Sequence, residues 1–173
     1  MFELLGELEL DWDRVDLLQV DERVAPDGDP DRNLTHIGES LPDAAVARLR
    51  PMPVTEEDLD AAAARYEAEL PKPLDLVHLG IGPDGHTASL VPDDPVLEVT
   101  DRLVAVTGGE YQGRRRMTLT YPALAAARRV FWLVAGEDKR DALGKLLAAD
   151  PSVPAGRVET SDAIVLADGA ATG

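Results

Sequence analysis

The sequence of 173 residues contains no cysteine, which excludes disulfide bonds and any metal site built on thiolates. No apolar run approaches the roughly 18 residues that a membrane-spanning helix needs. The first twenty residues also lack the basic start of a secretion signal, because Glu3, Glu7, Glu9 and Asp11 place acidic charge there. These absences predict a cytoplasmic protein that has neither disulfides nor a thiolate metal site.

Basic residues are scarce, since 17 Lys and Arg stand against 33 Asp and Glu and leave a net charge of −16. Lysine occurs only as Lys72, Lys139 and Lys145, so the other 14 basic residues are arginine. Such a negative chain disfavours nucleic acid and anionic membranes as partners. It does not exclude an anionic substrate, because a few local cations can dominate one pocket.

Length and patterning predict a single α/β domain over residues 1–173. The chain is long enough for one substantial core, and it shows neither an internal repeat nor a linker-like tract. Apolar strands alternate with helices, which is typical of a mostly parallel sheet flanked by helices. The predicted strands lie at 15–20, 74–79, 103–106, 117–121, 130–134 and 164–166, and the predicted helices lie at 2–9, 56–70, from Pro122 onward and at 137–149.

Binding sites in such sheets lie at the C-terminal ends of strands, which directs attention to residues 21–23, 80–89 and 136–139. The segment 80–89 (GIGPDGHTAS) has three glycines in six residues, which allow positive φ angles and close approach of a ligand. Its spacing also matches a dinucleotide-binding G-x-G-x-x-G. That motif requires a helix at the third glycine, and Pro92 and Pro95 follow too soon for one, so a nicotinamide cofactor is disfavoured.

Asp84 and His86 lie in this glycine-rich loop and form a candidate acid–base pair. Imidazole titrates near neutrality, and a carboxylate two residues away could hold its tautomer. The same spacing is equally typical of a tight surface turn with two solvated side chains. Spacing alone leaves both interpretations open.

Residues 75–92 (DLVHLGIGPDGHTASLVP) closely resemble the signature of the 6-phosphogluconolactonases, which hydrolyse 6-phosphogluconolactone in the oxidative pentose phosphate pathway. Residues 11–33, 114–124 and 136–143 resemble further segments of that family in the same order. The related glucosamine-6-phosphate deaminases share Asp-Gly-His but continue with Ile-Ala-Phe, where this chain has Thr87-Ala88-Ser89. A lactonase is the better match. A deaminase or isomerase of the superfamily, or a non-catalytic remnant of the fold, remains an alternative.

The resemblance implies a Rossmann-like fold of the sugar-phosphate isomerase/lactonase type, with a phosphorylated sugar lactone as substrate and neither metal nor organic cofactor. It implies that His86 is the general base that activates water and that Asp84 orients it. Backbone amides around Gly82 and Gly85 are candidates for stabilising the oxyanion.

Three cations are candidates for binding the substrate. Arg116 and Lys139 are predicted to hold the phosphate, since a guanidinium suits bidentate contact and Lys139 lies near a predicted helix N-terminus. Arg23 either pairs with its acidic neighbours or reaches the substrate. The run Arg114, Arg115 and Arg116 also fits a solvated basic turn, which we expect of at least one of the three, and the sequence leaves open which of them meets the phosphate. His36 and His78 are interpreted as structural.

The chain departs from the family pattern at its start. Members of the family begin with βα units that carry a phosphate-binding Ser-Gly-Gly-x-x-Pro loop, and this sequence has no such loop. We therefore expect an N-terminally truncated domain that is a poor catalyst by itself. The family is monomeric, but a missing strand would leave a sheet edge uncovered, so association through that edge is also expected.

Overall fold

The computed structural model describes residues 2–173, with side chains from Leu4 onward. The α-helices in this range are α1 (Phe2–Gly6), α2 (Asn33–Ser40), α3 (Asp43–Val46), α4 (Leu59–Glu69), α5 (Tyr121–Ala125), α6 (Arg140–Leu147) and α7 (Gly169–Thr172). The strands are β1 (Leu17–Leu18), β2 (Asp21–Arg23), β3 (Leu49–Arg50), β4 (Val77–Leu79), β5 (Val104–Val106), β6 (Arg116–Leu119), β7 (Val130–Val134) and β8 (Ala163–Ala167).

Parallel pairing dominates the sheet structure, as the sequence predicts. Strands β4, β7 and β8 form one parallel sheet, and β1 and β3 form a second. The bounds of β7 agree with the apolar run at 130–134. Helix α4 is shorter than predicted, because Asp58 caps it by accepting a hydrogen bond from the Ala61 amide at 2.9 Å.

The third sheet is antiparallel, in the order β2-β6-β5, and the sequence did not reveal it. Residues 21–23 were expected as a charged end after a strand. They form β2 instead, with Asp21 opposite Thr118 and Arg23 opposite Arg116 on β6. Side chains directly opposite each other in such a pair lie on the same face of the sheet. This sheet therefore brings Arg23 and Arg116 together.

Helix α2 was not predicted, because its N-terminus is capped by a residue far away in sequence. The buried carboxylate of Glu22 accepts hydrogen bonds from the backbone amides of Asn33 and Leu34, both at 2.8 Å. Arg32, whose side chain is 2% exposed, adds an ion pair at 3.0 Å to the same carboxylate. Glu22 thereby joins β2 to the start of α2 and fixes the wall of the site described below.

Within the described residues, one face of the parallel sheet of β4, β7 and β8 packs on the core and the other face is partly exposed. Val130, Trp132 and Val134 point into the core. On the other face Leu133 lies beside Leu166 in register, and both are exposed, by 37% and 51%. Parallel sheets normally have both faces covered, so this apolar face is an unusual surface.

No helix within residues 2–173 is long and apolar enough to cross a membrane.

Candidate active site

The loop 80–89 follows β4 and closes on itself through its own hydrogen bonds. The Gly82 amide donates to the carbonyl of His86, and the Gly85 amide donates to the carbonyl of Gly82, both at 2.9 Å. The Thr87 hydroxyl donates to the carbonyl of Gly80 at 2.9 Å. Gly85 adopts a φ of 81°, in the left-handed region that favours glycine. The sequence of the loop thus specifies a tight, fixed turn beneath His86.

Gly82 and Gly85 serve this site by their size. Their amides are engaged within the loop, so as the loop is folded here neither is free to meet an oxyanion. A Cβ at Gly82 would overlap the His86 imidazole, and one at Gly85 would come within 2.5 Å of the Val153 side chain. Gly82 is therefore required for the position of His86, and Gly85 for the packing of the loop against Val153.

Asp84 and His86 form the pair that their spacing suggested. The imidazole Nδ1 lies 2.6 Å from Asp84 Oδ1, and the His86 backbone amide donates to the same oxygen at 3.1 Å. Burial opposes ionisation of Asp84, but hydrogen bonds from His86 and Tyr111 outweigh it and lower the pKa of that carboxyl. The carboxylate thus accepts the Nδ1 proton, which leaves Nε2 as the basic nitrogen of the ring.

A cleft of about 770 Å³ opens beside this pair at the carboxyl ends of β1 and β4. His86 contributes to its wall and is 21% exposed. Arg23 and Arg116 face the same cleft. They are 93 residues apart in the sequence (23 to 116), but the pairing of β2 with β6 places them opposite each other. The cleft therefore combines a candidate base with two cations.

Arg116 is the buried member of the arginine run. Its side chain is 4% exposed, donates to Gln112 Oε1 at 3.1 Å and lies 4.0 Å from Asp21. Burial and the facing charge of Arg23 lower the pKa of Arg116. Within the described residues, the Nε atoms of Arg23 and Arg116 are buried and have no hydrogen-bond partner. Two guanidinium groups at the wall of one cleft, each with hydrogen-bonding capacity left over, form a candidate anion site.

Asp21 and Ser89 connect the two cations to the loop. The Ser89 hydroxyl donates to Asp21 Oδ2 at 2.6 Å, and the Ser89 amide donates to the Thr118 hydroxyl at 3.1 Å. Burial raises the pKa of Asp21, while the Ser89 bond and both arginines oppose that rise. Strand β2, strand β6 and the loop are therefore held in one arrangement around the cleft.

The remaining predicted cations lie elsewhere. Lys139 is not among the residues that line the cleft, and its Nζ pairs with Asp138 at 2.7 Å. Arg114 pairs with Asp29 at 3.1 Å, and Arg115 is exposed and donates to the carbonyl of Thr107. Of the three adjacent arginines, Arg116 is thus the one that faces the cleft.

Two polar residues of the site were missed by sequence reasoning. Tyr111 donates its hydroxyl to Asp84 Oδ2 at 2.9 Å, and Asn33 donates to the carbonyl and the carboxylate of Asp21 at 2.9 and 3.1 Å. Asn33 could have been suspected from its position at the end of the loop that follows 21–23. Nothing local marks Tyr111, because a hairpin between β5 and β6 brings it to the site.

Fold and cleft together define a class of protein. This is an α/β protein whose candidate site, at the carboxyl ends of its strands, combines a histidine paired with a carboxylate and two arginines, of which Arg116 is buried.

Comparisons with known proteins agree with that class. The family model described as glucosamine-6-phosphate isomerases/6-phosphogluconolactonase matches residues 1–166. A 6-phosphogluconolactonase of Streptomyces coelicolor is 37% identical over 165 residues, which cover 84% of this chain and 63% of that protein. One of Mycobacterium tuberculosis is 40% identical over 166 residues, covering 85% and 67%. The chain thus spans about two thirds of the length of these relatives.

A solved structure shows the same fold. The 6-phosphogluconolactonase of Thermotoga maritima superimposes with a TM-score of 0.85 at 28% identity, covering 96% of this chain and 78% of that one. The chain therefore belongs to the family of glucosamine-6-phosphate isomerases and 6-phosphogluconolactonase. The predicted fold class, a mostly parallel α/β fold of this Rossmann-like type, is confirmed.

Proposed function

We propose that this protein hydrolyses 6-phosphogluconolactone to 6-phosphogluconate in the pentose phosphate pathway, in the cytoplasm. The observation that carries the proposal is the paired His86 and Asp84 in one cleft with two arginines, the buried Arg116 and the half-buried Arg23. A lactone ester needs a base to activate water, and a phosphorylated substrate needs a cationic pocket. The 6-phosphogluconolactonases that the chain resembles carry that activity in their names.

The arrangement supports a simple route to hydrolysis. His86 Nε2 removes a proton from a water molecule as its oxygen bonds to the lactone carbonyl carbon. The resulting tetrahedral oxyanion collapses and breaks the bond from that carbon to the ring oxygen. The ring oxygen leaves with the proton that His86 had taken. Asp84 accepts the hydrogen bond from Nδ1–H throughout the reaction and stabilises the transient imidazolium.

Arg116 and Arg23 are proposed to bind the phosphate of the substrate. An anion between the two guanidinium groups would relieve the repulsion that Arg23 exerts on Arg116. Lys139 was assigned this role from the sequence, but its position outside the cleft does not support it. Positioning by the phosphate would hold the distant carbonyl near His86.

The test of the base is His86→Ala, assayed by lactone hydrolysis after subtraction of the uncatalysed rate. We expect turnover to fall about 10²- to 10⁴-fold, the usual contribution of general-base catalysis. His36→Ala is the matched control, since His36 also borders the cleft but its side chain is 59% exposed. Unchanged turnover of the His86 variant would remove it from the mechanism. Ammonia release from glucosamine 6-phosphate would indicate a deaminase instead.

The test of the phosphate site is Arg116→Gln. Loss of charge-assisted hydrogen bonds should raise KM for the phosphorylated lactone roughly 10- to 100-fold and affect unphosphorylated gluconolactone much less. Lys139→Gln removes a cation outside the cleft and should leave both values near those of the wild type. Equal losses for both lactones would show that Arg116 is structural.

A further inference from the structure

Tyr111 lies at the end of a rigid hairpin that reaches over the loop 80–89. The ladder of β5 and β6 ends at Val106 and Met117, and an isolated bridge between Tyr111 and Arg114 closes the hairpin around the turn Gln112-Gly113. Both turn residues have positive φ, 55° and 77°, as the tight hairpin turn of type I′ requires. The backbone at Tyr111 is therefore positioned by this bridge and its turn, in which the Tyr111 amide donates to the carbonyl of Arg114 at 2.9 Å.

The Tyr111 side chain contacts the Asp84–His86 pair at two places. Its hydroxyl donates to Asp84 Oδ2 at 2.9 Å and lies 3.3 Å from His86 Nδ1. Its ring lies 5.1 Å from the imidazole, centroid to centroid. Because Nδ1 is only 2.6 Å from Asp84 Oδ1, the imidazole donates its Nδ1 hydrogen bond to that oxygen, and the tyrosine hydroxyl donates to the other oxygen, Oδ2. The two oxygens of Asp84 thus have different partners.

A cation holds the tyrosine from its other side. The Arg116 guanidinium lies 5.1 Å from the Tyr111 ring centroid, within the range of a cation–π contact. Partial burial and the bond to Asp84 raise the pKa of Tyr111, so its hydroxyl stays a donor at neutral pH. The aromatic ring thus connects the proposed phosphate site to the proposed base.

We propose that Tyr111 is a positioning residue, whose hydroxyl fixes the rotation of Asp84 and so holds His86 in the tautomer with the proton on Nδ1. This inference rests on the proposed function, since it concerns the base of that reaction. Without the hydroxyl, Asp84 Oδ2 loses its donor and the carboxylate is free to turn away from the imidazole. His86 would then spend part of its time with the proton on Nε2, the nitrogen that has to act as base.

The test compares Tyr111→Phe with Tyr121→Phe. The first keeps the ring between His86 and Arg116 and removes only the hydroxyl. Tyr121 is a matched control, because its hydroxyl donates to the carbonyl of Pro154 at 3.0 Å and its ring lies 4.9 Å from the Arg157 guanidinium. Neither variant removes buried apolar surface, so both are expected to fold, which thermal unfolding would verify.

Two measurements are made on each variant. Long-range ¹H–¹⁵N spectra of the imidazole nitrogens, assigned with His86→Gln, report the tautomer of His86 without reference to activity. Lactone hydrolysis reports kcat and KM. For Tyr111→Phe we expect a smaller fraction of the Nδ1–H tautomer and a loss in kcat of about tenfold with KM nearly unchanged, the size of one hydrogen bond to a charged group. Tyr121→Phe should change neither.

The two readouts separate this inference from the proposed function. An unchanged tautomer in Tyr111→Phe overturns the positioning role, whether or not kcat falls. Suppose that Tyr111→Phe changes the tautomer and that neither Tyr111→Phe nor His86→Ala changes the lactonase rate. That result would support the positioning role and refute the proposed reaction. A loss confined to KM would also overturn the inference, because it would place Tyr111 in substrate binding.

Discussion

The Gly82→Ala substitution tests the position of the His86 ring directly. A Cβ at Gly82 would overlap Nδ1 and Cε1 of the imidazole and come within 2.7 Å of Asp84 Oδ1. The φ angle of Gly82 is not in the left-handed region, so alanine brings no backbone strain there. The conflict is confined to the side chains of residue 82, Asp84 and His86, and the imidazole has to move because its atoms lie closest to the added Cβ.

The size of the effect follows from that displacement. Ordinary van der Waals separation requires the ring to shift by about 1 Å or more, and a misplacement of that size costs about 10²-fold in rate. The bond to Asp84 would also be lost, so we expect kcat/KM to fall about 10²- to 10³-fold. Gly82 is buried, so the fold should also lose about 1 to 3 kcal/mol, the usual cost of overpacking.

The assay is lactone hydrolysis corrected for the spontaneous reaction, with thermal unfolding measured in parallel. Gly80→Ala is the matched control in the same loop, because a Cβ there meets only the carbonyl of Leu133 at 3.9 Å, an ordinary contact. That variant should keep nearly full activity. If Gly82→Ala were as active as Gly80→Ala, the observed position of His86 would not be the one used in catalysis, and the reasoning would fail.

Two further predictions concern stability and association. Burial opposes ionisation of Glu22 but its hydrogen bonds prevail and lower its pKa below 4.5, so its stabilisation is present above that pH and is lost as pH falls; Glu22→Gln should cost about 3 to 5 kcal/mol at pH 7 in urea unfolding, because it leaves the buried Arg32 with only the exposed Asp27 as an ionic partner, and should flatten the acid dependence. An acid dependence equal to that of the wild type would contradict this. The exposed apolar face of the parallel sheet should make the chain self-associate. Leu166→Lys, on that face, should weaken the association in sedimentation experiments. Leu147→Lys, which changes a separate exposed leucine of α6, should not weaken it. A wild type that stays monomeric at all concentrations would refute the association.

Local pattern was sufficient for elements whose stability is local or that lie deep in the core. The strand at 130–134 and the parallel class followed from apolar runs alone, because a strand buried on a parallel sheet must be apolar along its length. Strand β2 is different. It consists of Asp, Glu and Arg, and only its ladder with β6 makes it a strand, so composition could not reveal it. Helix α2 has the same origin, since its cap is the remote Glu22.

The candidate site divides in the same way. Asp84 and His86 are two residues apart in one loop, so their spacing was enough to suggest the pair, and the structure brings them within 2.6 Å. Tyr111 depends on hairpin geometry and Asp21 on the antiparallel ladder, and neither is visible before the strands are paired. Lys139 was assigned from its helix N-terminus, but nothing in the sequence could show that this terminus lies outside the cleft.

The charge balance around Arg23 and Arg116 explains how a chain of net charge −16 can hold an anion. Arg23 donates to the carbonyl of Asp31 and the amide oxygen of Asn33, which are neutral acceptors, and Asp21 lies 4.0 Å from Arg116 with a pKa that burial raises. The two guanidinium charges are thus incompletely neutralised by the residues around them. Repulsion from the acidic surface is screened within about 8 to 10 Å at physiological salt, whereas contacts inside the cleft are not. Binding of a phosphate should therefore depend on these two arginines and only weakly on the net charge of the protein.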